Sequence, residues 1–181
     1  MTRPEGSSSW ENGTPGTADM ARIRSLVAEL ANQDGISPTK ARESLVAIGK
    51  PAVPYLVEAL GADDDWMRWE VAKTLSQIAD PSSAAVMADS LEDRTFGVRW
   101  LAAMALINMG REGLPALLQA LIERADSPWL RDGAHHVLHD LCQGRLRKVL
   151  RPVLQSMEGP DPSVEVPVAA RGALQALKDL A

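Results

Sequence analysis

The chain has little of several things, and each shortage excludes something. Cys142 is the only cysteine in 181 residues. An intrachain disulfide is therefore impossible, and a cysteine-rich zinc site is absent. Aromatic residues make up only 4%, while alanine and leucine abound. That balance favours closely packed helices over a β-sandwich. Basic residues are outnumbered, and the net charge of −5 argues against binding nucleic acid through phosphate contacts. No apolar run reaches the length of a membrane span. The first 18 residues are polar and rich in Gly, Ser and Thr, so no signal-peptide core is expected there. A cytoplasmic protein that binds neither nucleic acid nor membrane is expected. Phosphate-binding loops and Gly-x-Ser-x-Gly elbows are missing too, and no Ser, His, Asp spacing singles out a catalytic triad.

What is present is a repeat. Residues 98–110, Val-Arg-Trp-Leu-Ala-Ala-Met-Ala-Leu-Ile-Asn-Met-Gly, read as one helix, and variants of it recur on either side. Leu45, Leu75, Leu106, Leu138 and Leu174 align at spacings of 30, 31, 32 and 36 residues. Three residues on comes Ile48, Ile78, Met109, Leu141 or Leu177. Four residues before comes Ala41, Val71, Ala102, Ala134 or Ala170. Eight before lie Met67, Val98, Leu130 and Val166. These offsets trace one helical face, which must be core. Alanine dominates one place because neighbouring helices have to approach closely there.

Other apolar helices alternate with these, over residues 55–60, 84–91, 114–122 and 146–157. The unit is a helical hairpin, repeated about five times. One hairpin cannot bury both of its faces, so stacking is required. The expected fold is all-α, an α-α superhelix over residues 18–181. Residues 1–17 show no periodicity and are expected to be a flexible tail. Trp10 is either an ordinary tail residue or a short docking segment.

The repeated segments Met67-Arg68-x-x-Val71-Ala72-x-x-Leu75, Val98-Arg99-x-x-Ala102-Ala103-x-Ala105-Leu106 and Leu130-Arg131-x-x-Ala134 resemble HEAT-like repeats. They look most like the short kind found in phycobilin lyase subunits. Asp80-Pro81 and Gly113-Leu114-Pro115-x-Leu117-Leu118 fit the intervening helix of that family. The resemblance implies a HEAT-like α-solenoid whose second helices line the concave surface. It also implies that Arg68, Arg99 and Arg131, with Asp65, Asp93 and Asp126, form a ladder tying repeat to repeat. Pro167 interrupts that ladder in the last repeat, as a terminal cap would.

Aromatic side chains carry the functional reading. Trp66, Trp69, Phe96, Trp100 and Trp129 all fall near the start of a second helix. Trp66, Phe96 and Trp129 are expected to plug the turns between repeats. Trp69 and Trp100 sit opposite the core stripe, on a face that continues through Lys73, Met104, Ile107 and His136. An apolar face of that kind marks a partner site or is buried by curvature. Trp69, Trp100, Met104, Ile107, Lys73 and His136 are therefore the candidate contacts for a protein or peptide. The sequence thus predicts a non-catalytic scaffold with no cofactor. An accessory subunit of an enzyme, such as a phycobilin lyase-like complex, is the alternative that the resemblance implies.

A metal site is the third alternative. His135, His136 and His139 are the only histidines, and the first and last are one helical turn apart. No Glu follows His135, so the zinc-protease motif is incomplete. No His-Glu pair occurs anywhere, which disfavours the iron chemistry of HEAT-like hydroxylases. Cys142 reads as a small residue at a helix end, like Gly49, Ala79 and Gly110. Arg145, Arg147, Lys148 and Arg151 form a basic cluster. It is either the solvated side of an amphipathic helix or a surface for an acidic protein.

Overall fold

The computed structural model describes residues 16–180. The tail, with Trp10, lies outside the described residues except for Gly16 and Thr17, and Thr17 already opens the first helix. Among the described residues there are helices and no strands: α1 (Thr17–Glu29), α2 (Ser37–Ile48), α3 (Val53–Ala59), α4 (Asp65–Ile78), α5 (Ala84–Ser90), α6 (Phe96–Met109), α7 (Leu114–Arg124), α8 (Pro128–Leu141), α9 (Arg147–Met157) and α10 (Pro162–Asp179).

Local chemistry sets the boundaries. Asp64 accepts hydrogen bonds from the backbone of Trp66 at 2.7 Å and Met67 at 3.3 Å, capping α4. Ser127 does the same for α8 through Leu130 at 3.3 Å. Pro38, Pro54, Pro115, Pro128 and Pro162 sit in first turns, where no N–H is needed. Three second helices end on a left-handed residue: Gly49 (φ 72), Ala79 (φ 51) and Gly110 (φ 60). After α8 that residue is Gly144 (φ 49), while Cys142 keeps a negative φ. Cys142 thus ends α8 as Gly49, Ala79 and Gly110 end their helices, but the left-handed residue there comes two residues later.

The hairpins stack in two layers. In one layer α2 packs on α4, α4 on α6 and α6 on α8. In the other, α1 touches α3, α3 touches the turn into α5, and α5 packs on α7. Between the layers lie Leu45, Leu75, Leu106 and Leu138, all fully buried, with Ala41, Val71, Ala102 and Ala134 beside them. Fully burying one such leucine contributes about 1.5–3 kcal/mol.

The last hairpin is reversed. Helix α9 packs against α8, and α10 packs against α7 and α9. Arg111, at the turn into α7, donates to the carbonyl of Leu177 near the C-terminal end of α10 at 2.9 Å. So α10 joins the layer of first helices instead of continuing the α2–α4–α6–α8 stack. This corrects the expected equivalence of Leu174. The buried set of α10 is Val166, Ala170, Ala173 and Leu177, and Leu174 is only half-buried.

Candidate partner-binding cleft

The repeated arginines shape the start of each second helix. Arg68 Nη1 donates to the carbonyl of Ala62 at 2.9 Å, and Arg99 Nη1 to that of Asp93 at 2.8 Å. Arg131 Nη1 reaches Ala125. Each acceptor lies six residues back, just past the end of the preceding helix. A cation there meets carbonyls left without helical partners and the negative end of the dipole. The three arginines therefore close their own hairpins.

Only Arg68 also ties two repeats. Its Nε bonds Asp93 at 2.8 Å and its Nη2 bonds Asp65 at 2.6 Å. The hydrogen bond that Arg68 donates to Asp93 raises the Arg68 pKa against the opposing effect of burial. Hydrogen bonds from Arg68 and then Arg94 hold the Asp65 carboxyl below its ordinary range. Among the described residues Arg99 and Arg131 make no ion pair, so the expected ladder has a single rung at this place. Other ties between repeats use Arg42 with Glu70, and Arg124 with Asp89 at 2.7 Å.

Arg99 is held by rings instead. Its guanidinium lies 4.6 Å from the Trp129 ring centroid and 5.6 Å from that of Phe96. These rings do not plug turns: Phe96 is 68% and Trp129 51% exposed. Of the three expected plugs only Trp66 behaves as one, half-buried and donating to the carbonyl of Asn32 at 3.1 Å.

A cleft of about 280 Å³ opens between the N-terminal halves of α6 and α8. Phe96, Arg99, Trp100, Ala103, Trp129 and His136 line it, with Asp132 and Gly133. Trp100 is 49% exposed and stacks on His136, ring centroids 5.0 Å apart. Two candidate contacts, Trp100 and His136, thus meet in one place. Trp69 faces another neighbour. It stacks on Trp66 at 5.5 Å, carries the Lys73 ammonium 4.4 Å from its ring, and lies against Gly97. Ile107 packs against the core and Met104 is half-buried on the same helix as Trp100. Reasoning from the sequence missed Phe96, Arg99 and Trp129 as cleft residues. Their shared position at the starts of adjacent second helices was the available signal.

A larger hollow of about 450 Å³ lies among α1, α3 and the start of α4, with Arg24 over Tyr55 at 5.1 Å. Much of its lining is Ala and Gly, and its largest apolar side chains, Tyr55 and Met67, are half-buried. Exposed aromatic surface, the better mark of recognition, is concentrated in the smaller cleft.

The histidines diverge. His135 and His139 stack at 6.1 Å, and His135 Nε2 lies 3.8 Å from Glu158, while His136 turns to Trp100. Among the described residues no group of three or more His, Cys, Asp or Glu side chains is gathered to hold a metal. No helix there is long and apolar enough to cross a membrane.

Comparison with known proteins agrees with this architecture. A HEAT-repeat family model matches residues 23–107, and a PBS lyase HEAT-like repeat model matches residues 98–123. No curated protein matches. Among solved structures, a chain from the complex of CpcE and CpcF of phycocyanin lyase from Nostoc sp. PCC7120 is similar in fold, with a TM-score of 0.58 and 23% identity. The match covers 88% of this chain and 99% of that one. With two layers of stacked hairpins and repeat matches running from residue 23 to residue 123, that span of the chain is built of HEAT repeats in a HEAT-like solenoid fold.

Proposed function

We propose that this protein is a non-catalytic scaffold that binds a protein or peptide partner through the cleft between α6 and α8. One observation carries the reading: three large aromatic side chains, Phe96, Trp100 and Trp129, are 49–68% exposed around a single concavity. Exposed apolar surface is costly in water unless it is used. Tryptophan and arginine, both present here, are the residues most enriched where binding energy concentrates. Phe96, Arg99 and Trp100 on α6 supply one wall, and Trp129 and His136 on α8 the other, with Met104 one turn on from Trp100. Trp69, Lys73 and Ile107, half-buried in the same layer, support that surface more than they offer contacts.

The test is photo-crosslinking in the source cells, with p-benzoylphenylalanine in place of Phe96. Glu123, exposed on α7, is the control position. A defined adduct from position 96 and none from position 123 is the expected result. Equal labelling at both, or none at position 96, contradicts the reading.

A second reading is an accessory subunit of an enzyme, on the model of a phycobilin lyase-like complex. The observation favouring it is that the PBS lyase HEAT-like match over residues 98–123 contains Arg99, Trp100 and Ala103 of the cleft. Incubation with a bilin should then give a protein with visible absorbance; a colourless product counts against it.

A further inference from the structure

We infer that the exposed face of α9 is a docking surface for an acidic segment of the same partner. This rests on the partner reading above for the source of that segment, while its residues are separate from the cleft. Arg145, Arg147, Lys148 and Arg151 are all exposed and fall within seven residues of one another. Among the described residues none of these four side chains makes an ion pair or hydrogen bond. The arginines between repeats are committed: Arg42 to Glu70, Arg68 to Asp93, Arg94 to Asp65 and Arg124 to Asp89. Uncommitted positive charge in a chain of net charge −5 is thus concentrated on this face.

The cluster is unfavourable for the helix that carries it. Arg147 and Arg151 are like charges one turn apart. Arg147 and Lys148 also stand in the first turn of α9, which holds no acidic residue and where the helix dipole disfavours cations. An anionic partner relieves both effects. Arg147, Lys148, Arg151, Pro152 and Gln155 border a groove of about 260 Å³, so the charges flank a concave track on the helix surface. The reversed last hairpin sets α9 directly against α8, one wall of the aromatic cleft.

The chemistry favours a carboxylate-rich peptide over other polyanions. A nucleic acid, with a phosphate every ~1.7 Å of duplex axis, would run past these four cations onto the acidic remainder of the chain, whereas a short acidic segment need not. A membrane surface would ask for apolar side chains to insert, and those of α9 (Val149, Leu150 and Val153) are buried.

Fluorescence anisotropy with a labelled Glu-rich peptide tests the proposal on the full chain. Wild-type protein is compared with Arg147→Glu/Arg151→Glu, with the milder Arg147→Ala/Lys148→Ala/Arg151→Ala, and with Trp100→Ala/Trp129→Ala. Expected are salt-sensitive binding, a loss of about tenfold or more in both α9 variants, and no loss in the cleft variant. Circular dichroism confirms that each variant is folded, and the alanine variant stands in if charge reversal unfolds α9. The proposal is overturned if the folded α9 variants bind as wild type does. It is also overturned if a duplex DNA oligonucleotide or phosphatidylserine vesicles bind more tightly than the peptide. Loss in the cleft variant alone would leave the partner reading standing and remove this one.

Discussion

Arg68 Nε stands 2.8 Å from the Asp93 carboxylate across the boundary between two repeats, and both side chains are largely buried. Asp93 also accepts the backbone N–H of Thr95 at 2.7 Å, at the start of α6. Asp93→Ala therefore takes from the buried guanidinium its partner across the repeat boundary, leaving it Asp65 and backbone carbonyls, and leaves the Thr95 N–H without that acceptor. Its expected cost is about 1.5–3 kcal/mol by urea unfolding. Asp126→Ala, in the place where the ladder has no rung, should stay within about 0.5 kcal/mol. Similar costs at both positions would restore the regular ladder.

Glycines in the second-helix layer should respond in opposite directions to those elsewhere. A Cβ on Gly97 would come within 2.9 Å of Trp69, and one on Gly133 within 2.8 Å of Leu91. Alanine at either place is expected to destabilise by about 1–2 kcal/mol despite its better helix propensity. Gly172, in the interior of α10, has nothing within 4 Å of that position, so Gly172→Ala should stabilise by about 0.5–1 kcal/mol. Ala79, the one described non-glycine residue with positive φ, gives the converse: Ala79→Gly should gain about 1 kcal/mol. Thermal unfolding of the four variants checks all of these.

Acid should weaken the joint between repeats. The Asp65 carboxyl is held below its ordinary value of 3.8 by hydrogen bonds from Arg68 and Arg94. A depressed folded pKa contributes stability that is complete above the unfolded value and is lost as pH falls through the folded one. The difference in Tm between wild type and Asp65→Asn should accordingly be present at neutral pH and shrink below about pH 4. A difference that is constant down to acid would show that the charge on Asp65 does not matter.

The reversed last hairpin makes its own claim. Leu138→Ala opens a fully buried site and is expected to cost about 2–5 kcal/mol. Leu174→Ala, half-buried, should cost less than about 1.5 kcal/mol. Equal losses would place α10 in the same register as the other second helices.

The repeat was legible because core positions obey a simple period: Leu45, Leu75, Leu106 and Leu138 each fill the same layer, so one alignment finds them all. Leu174 broke the spacing, with 36 residues where 30 to 32 were the rule, and Pro167 stood where an arginine was due. Both signals pointed to a changed packing, but which layer α10 joins depends on contacts with α7 that no local pattern encodes. The site was half legible. Trp100, Met104 and His136 fall on the face opposite the core stripe and can be read from helical spacing. Phe96 and Trp129 stand at helix starts, where sequence cannot separate a plug from an exposed ring. Here both rings lie against the Arg99 guanidinium at the cleft and stay exposed, a grouping across two helices that no local pattern encodes.

The most direct test of the account is the affinity of the crosslinked partner for wild type and for Trp100→Ala/Trp129→Ala, with thermal unfolding recorded alongside. A cleft used for binding predicts an affinity loss of at least about tenfold with Tm changed by no more than about 2 °C. Unchanged affinity, or a loss of affinity matched by a large fall in Tm, would contradict it.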